Sequence, residues 1–271
     1  MNNRKYLMRC LAITLTLFVT IIFVASCGSK ETAPEDRVYL KESEYDAALS
    51  DGDSYKGKWI KIVGKVFNVD KDGEDLAIQA WYDPKDADQP FIVYLSKDLV
   101  DSVKVDDFIL VDGEISGVFK GENALGGEIT NPIIKAESVT VGTYDELYAP
   151  AESTKEVGET KDQHGLKVTV DRIEYAKEEA RVYITVKNDS GDKASVYTFN
   201  AKAIQDGKQI DHEDNYDAGE YDDMGDVLDG ASKEGILRFQ GLDPEKPVKI
   251  QIEAYSDNYE IEIEDYVFDI E

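Results

Sequence analysis

The sequence predicts an all-β chain in two domains, a small five-stranded barrel followed by a sandwich of two sheets. Three observations predict it. Apolar residues recur at every second position in short runs, turn residues separate those runs, and a polar stretch divides the series in two. The dividing stretch is Ala149-Pro150-Ala151-Glu152-Ser153-Thr154.

The N-terminus differs from all that follows. Arg4, Lys5 and Arg9 give a basic start with no acid among residues 1–26, and an apolar run from Leu11 to Val24 is broken only by Thr14, Thr16 and Thr20. These are the basic start and apolar centre of a secretory signal, and the run is short for a membrane span. It ends in Val24-Ala25-Ser26-Cys27. That tetrapeptide resembles the bacterial lipobox, in which a branched apolar residue and two small ones precede an obligatory cysteine. The resemblance implies a signal peptide of residues 1–26, cut after Ser26, with diacylglyceryl lipid on Cys27. Residues 27–37 then form a lipidated flexible tether, polar from Gly28 to Asp36. Two or three acyl chains hold such a protein stably, where one would hold it marginally.

Residues 38–149 form the first domain. Lys41 to Leu49 read as a short helix with Tyr45, Ala48 and Leu49 on one face, stopped by Asp51-Gly52-Asp53. A strand follows from Lys58 to Val69, placing Ile60, Ile62, Gly64, Val66 and Asn68 on one face. Asp70-Lys71-Asp72-Gly73 turns the chain into Leu76–Tyr82, and Asp83-Pro84 leads on to Phe91–Leu95. A helical piece over Lys97–Val103 precedes the strands Phe108–Phe119 and Ile129–Val141, and Thr143–Tyr148 reads as an exit helix. A long strand closing a small barrel bends sharply, which a residue without Cβ permits, so Gly64 marks the bend.

Five strands with a helix between the third and fourth resemble an OB-fold. Tyr55-Lys56-Gly57-Lys58-Trp59-Ile60-Lys61-Ile62-Val63-Gly64-Lys65-Val66 looks like the start of the anticodon-binding-like OB domains of bacterial lipoproteins. The run Val103 to Glu114 looks like that family's fourth strand, with Asp106-Asp107 where the family usually has Gly-Asp. The resemblance covers about 100 residues and implies a barrel that binds ligands on the face of strands 2 and 3.

Residues 150–156 are read as a linker and 157–271 as the second domain. Leu166, Val168 and Val170 alternate, as do Val182, Ile184 and Val186, then Tyr197, Phe199, Ala201 and Ala203. Val248, Ile250, Ile252 and Ala254 form another row, and Ile261 and Ile263 begin the last. Such strands suggest a β-sandwich. Val157-Gly158-Glu159-Thr160, His164 to Val170, Val182 to Asn188 and Gly235-Ile236-Leu237-Arg238-Phe239 resemble an immunoglobulin-like, telokin-like family. That family is common at the C-termini of Gram-positive lipoproteins, and most of its members have no assigned activity.

Charge and cysteine content bound the function. The chain carries 57 acidic and 30 basic residues, a net charge of −27, and loss of Arg4, Lys5 and Arg9 with the signal makes it −30. A nucleic-acid partner is excluded, because phosphate contacts require a basic footprint and neither domain has a run of basic residues. Cys10 leaves with the signal and Cys27 is acylated, so the exported part has no thiol and no disulfide. Cysteine-free exported domains with Lys well above Arg fit a Gram-positive cell surface.

No residue set amounts to a catalytic site. His164 and His212 are the two histidines, and His164 precedes Gly165 in a predicted turn. No serine sits in a nucleophile-elbow context, and an acylated Cys27 leaves no Cys–His pair. Asn68-Val69-Asp70-Lys71-Asp72-Gly73 spaces oxygens like a calcium loop, but Gln79 stands where a bidentate Glu belongs, so it reads as a hairpin turn. Asp211 to Asp229 holds nine acids and no Lys or Arg, with Asp211, Glu213 and Asp214 as a weak Ca²⁺ cluster and a solvated, mobile loop as the simpler reading. Trp81, Tyr82 and Tyr94 form the candidate ligand face. The expectation is a non-catalytic, lipid-anchored interaction module on the extracytoplasmic side, without cofactor or bound metal. It would meet an envelope protein or a small extracellular ligand. The alternatives are a glycan- or small-ligand-binding protein using the OB face and, less favoured, an extracytoplasmic enzyme.

Overall fold

A computed structural model describes residues 37–73, 75–97, 103–122, 126–218 and 224–271. The anchor residues Val24, Ala25, Ser26 and Cys27 lie outside the described residues, as does most of the helical piece expected over 97–103. The chain is all-β. Among the described residues, no helix is long and apolar enough to cross a membrane.

The first half holds α1 (Tyr45–Ser50) and five strands: β1 (Trp59–Asp70), β2 (Asp75–Asp83), β3 (Asp88–Ser96), β4 (Phe108–Glu122) and β5 (Glu128–Gly142). The strands pair in the order β1-β2-β3-β5-β4, and β4 returns to β1, so the sheet closes on itself. Every pairing is antiparallel except β3 with β5, where Ile92 meets Ile133 in parallel. Closure leaves no strand in the sheet with a free edge. Ile60, Ile62, Val66, Ile78, Phe91, Val93, Ile109, Val111 and Ile134 point inward, and α1 adds Ala48 and Leu49 to the same core.

Alternation along β1 holds from Ile60 to Val66 and then breaks. Val66 pairs with Ala80 and Asn68 with Gln79, so Phe67 is an extra residue in the ladder. This bulge turns Asn68 out and brings Val69 against the core, the reverse of the face read from the sequence. Gly64 has its predicted place for a contact reason. A Cβ there would lie 2.6 Å from Phe91 Cζ and 2.9 Å from the Trp81 carbonyl oxygen.

The second half has two four-stranded antiparallel sheets sharing one core. One runs β11 (Ser232–Gln240), β8 (Glu179–Asn188), β7 (Leu166–Tyr175), β6 (Ser153–Gln163); the other runs β10 (Lys208–Asp211), β9 (Ala194–Gln205), β12 (Val248–Ser256), β13 (Tyr266–Ile270). Val168, Val170, Val182, Ile184, Leu237 and Phe239 from the first meet Val196, Ala203, Ile250, Ile252, Tyr266 and Phe268 from the second. The β6–β7 hairpin turns on His164-Gly165, both with positive φ, the conformation of a two-residue turn that follows strand twist.

Three readings shift here. β6 begins at Ser153, taking in the last four residues of the 150–156 stretch, because that stretch pairs with the end of β7 from Ser153 opposite Tyr175. In β9 the pairing with β12 slips between Tyr197 and Lys202, so Thr198 turns inward and Phe199 is 59% exposed. The last strand starts at Tyr266 rather than Ile261, with Tyr266, Phe268 and Ile270 as its inward row.

Candidate functional site

After β5 the chain makes a single π-turn, Tyr144–Tyr148. Its start follows from local sequence. Thr143 Oγ1 accepts from Glu146 N at 3.2 Å, and Glu146 Oε2 accepts from Thr143 N at 3.0 Å, a reciprocal capping box. The turn stacks Tyr144 and Tyr148 at 5.2 Å and sets both against Phe108. It also delivers Asp145 to the second half of the chain.

There Asp145 meets two arginines. Arg181 on β8 and Arg238 on β11 are direct cross-strand partners, an arrangement of like charges that is unfavourable alone. Asp145 accepts from Arg238 at 2.9 and 3.1 Å and from Arg181 at 3.3 Å. Glu179 accepts from both, at 2.8 and 3.1 Å, and Glu174 accepts from Arg181 at 3.2 and 3.3 Å. Arg181 Nη1 also donates to the Ala149 carbonyl at 2.7 Å. The Arg181 side chain is 1% exposed. Burial alone would lower its pKa, but Asp145 and Glu179 outweigh that and raise it. Burial pushes Glu174 up, yet bonds from Arg172, Tyr183 and Arg181 hold it below the ordinary carboxylate range.

The Asp211–Asp217 segment lies against the same region. Glu213 N donates to the Arg238 carbonyl at 3.0 Å, and Gln240 Nε2 donates to Glu213 at 2.6 Å. His212 Nδ1 accepts from Arg238 N at 2.9 Å, which leaves Nε2 to donate to Asp214 at 3.0 Å. Asp217 pairs with Lys65 of β1 at 2.9 Å. This part of the acidic stretch is therefore bonded to β1, β9 and β11, while Asp211, Glu213 and Asp214 stay exposed.

Between α1, the end of β2, the π-turn, the β7–β8 turn and the 213–217 segment runs an open groove of about 1060 Å³. Tyr45, Tyr82, Tyr144, Tyr148 and Tyr216 line it, with ten carboxylates against three lysines and Arg238. Tyr45 meets Tyr82 edge-on at 6.0 Å, and Tyr45 Oη donates to the Lys61 carbonyl. Burial, then the nearby Asp83, pushes the Tyr148 phenol up to about 12. Burial, then Glu42 and Asp46, raises Tyr82.

The predicted ligand face divides here. Tyr82 lines the groove, whereas Trp81, its neighbour on β2, stacks on Phe67 at 4.0 Å. Tyr94, 37% exposed on β3, pairs across from Ala77. Strand alternation sends Trp81 and Tyr82 to opposite faces, so the three rings do not form one platform. Asp211, Glu213 and Asp214 bond to Gln209, Gln240 and His212 in turn. Among the described residues, no group of three His, Cys, Asp or Glu side chains is placed to hold a metal ion. Sequence reasoning missed Asp145, Arg181 and Arg238. Its one available signal was an arginine inside the apolar run Gly235 to Phe239.

No family model matches the chain, and no curated protein matches it. Among solved structures, a functionally unknown protein from Listeria monocytogenes EGD-e has 11% identity and a TM-score of 0.35, over 45% of this chain and 86% of its own. The yjhA protein from Bacillus subtilis has 15% identity and a TM-score of 0.35, over 43% of this chain and 99% of its own. A conserved domain protein from Bacillus anthracis has 12% identity and a TM-score of 0.33, over 82% of this chain and 78% of its own. Likeness at this level defines neither a shared fold nor a shared function.

Proposed function

We propose that this chain is a non-catalytic, lipid-anchored extracytoplasmic binding protein. In this reading an OB-fold barrel and an immunoglobulin-like sandwich together form the ligand groove. The strand order β1-β2-β3-β5-β4 with β3 parallel to β5 supports the OB reading. Two four-stranded sheets around one core support the sandwich. The lipobox-like Val24-Ala25-Ser26-Cys27 supports the anchor.

The observation that carries a binding role is the tyrosine-lined groove, a concave site where several elements bring side chains together.

Two measurements test the reading. Labelled palmitate is expected in the wild-type chain and absent from Cys27→Ala, and labelling of that variant would remove the anchor. Tyrosine fluorescence titrated with organic cations, neutral sugars and organic anions is expected to saturate with one class. No saturable change with any of them would remove the binding role.

A further inference from the structure

The ligand class follows from how charge is distributed in the groove, given that the groove is the binding site. The carboxylates do not converge. Glu42 comes from the turn before α1, Asp46 from α1, Asp83 from the end of β2, Glu178 from the β7–β8 turn, and Glu213 and Asp214 from the segment after β10. A metal ion needs several oxygens at one point, and no such group exists among the described residues. Charge spread over several elements matches a ligand whose own charge is spread. Rings line the same groove in two pairs, Tyr45 with Tyr82 and Tyr144 with Tyr148. Tyrosine faces attract cations and cover aliphatic carbon equally well. The chain uses the same contact internally, with the Arg172 guanidinium 3.5 Å from the Tyr183 ring centre. Of the basic side chains in the groove, Arg238 is held by Asp145 and Glu179, and Lys177 reaches Glu42 at 3.5 Å. The carboxylates therefore outnumber the cations that could neutralise them, and an anionic or phosphate-bearing ligand is repelled.

We propose that the groove binds a small linear polyamine, its ammonium groups spaced along the separate carboxylates of the lining and its methylene segments lying on the tyrosine rings. A volume of about 1060 Å³ is ample for one such molecule. The compact ammonium groups bond to separate carboxylates, and the flexible chain between them accommodates their spacing.

The test is calorimetry on the full chain in neutral detergent with spermidine as probe. A saturable one-to-one isotherm is expected, weakened severalfold on raising salt from about 50 to 200 mM, since the contacts are largely ionic. Glu42→Gln with Asp46→Asn, both exposed positions, should weaken binding about tenfold together. Glu122→Gln with Glu128→Gln removes the same charge outside the groove and should leave affinity unchanged. Tyr45→Phe keeps the ring and should retain binding, whereas Tyr45→Leu should weaken it. Equal weakening by both charge pairs would reduce the effect to general attraction by an acidic protein and overturn the proposal. Saturation by a neutral sugar or a lysine-rich peptide, with none by spermidine, would overturn the polyamine while leaving the groove a binding site. No saturation by any probe would overturn both.

Discussion

Gly64 shows how one residue serves closure of the first sheet. It faces the Phe91 ring and the Trp81 carbonyl at distances that leave no room for a methyl group. Gly64→Ala should therefore overpack that point and cost about 2 kcal/mol, read as a lower urea midpoint at unchanged slope. Pairing it with Phe91→Leu should recover part of the loss, because the second change removes the ring atoms the methyl meets. Additive losses in the pair would show that the clash is not the cause. Tyr148 makes a second prediction at this scale. Its folded pKa is raised from 10.0 to about 12, with burial the larger cause and Asp83 the next. A raised folded value means stability is fully present below pH 10 and is lost as pH rises from about 10 to 12. An alkaline absorbance titration should show a phenol ionising near pH 12 that is missing in Tyr148→Phe. That variant should also lose less stability across the same window.

At the scale of elements, what was legible was alternation and turn chemistry. The rows Ile60 to Val66, Val182 to Val186 and Val248 to Ala254 are inward faces, because a period of two reports one buried side of a strand. The His164-Gly165 turn was legible for the same reason, being written in adjacent residues. Bulges were not. Asn68 and Val69 exchange faces because the β2 partner skips one residue, and Phe199 turns out because β9 slips against β12. The β9 slip belongs to a pairing with a strand distant in sequence, and the β1 bulge to a ladder register that alternation alone does not report. The bonds made by part of the acidic stretch also come from strands distant in sequence. Asp211 to Asp217 contains no Lys or Arg, but Lys65 arrives from β1 and Gln240 from β11 to bond its carboxylates. Of the candidate site, Tyr82 was legible as an aromatic at a strand end. Tyr45, Tyr144 and Tyr148 join it only through the fold.

For the molecule as a whole, the question is what holds the two halves in a fixed relation, since the groove depends on it. Arg37 to Glu271 form one compact unit, and the chain between β5 and β6 is short and bonded. Ala149 N donates to the Tyr144 carbonyl, Ala149 O accepts from Arg181, and Glu152 N donates to the Tyr175 carbonyl. Asp145 is the side chain of the first half on which this arrangement turns, because it neutralises Arg181 and Arg238 together. Removing it leaves two buried guanidinia facing each other across β8 and β11 with Glu174 and Glu179 as their remaining carboxylate partners. Breaking a buried charge set from one side costs about 3 kcal/mol, more than the intact set contributes relative to apolar replacements. Asp145→Ala should accordingly lower stability by about that much. It should also open the 149–152 segment to limited proteolysis, while the wild-type chain resists cleavage there. Asp145→Asn keeps the bonding oxygen without the charge and should fall between the two. Loss of stability without faster cleavage would mean that other contacts fix the halves. In that case the groove would keep its shape without the Asp145–arginine bonds.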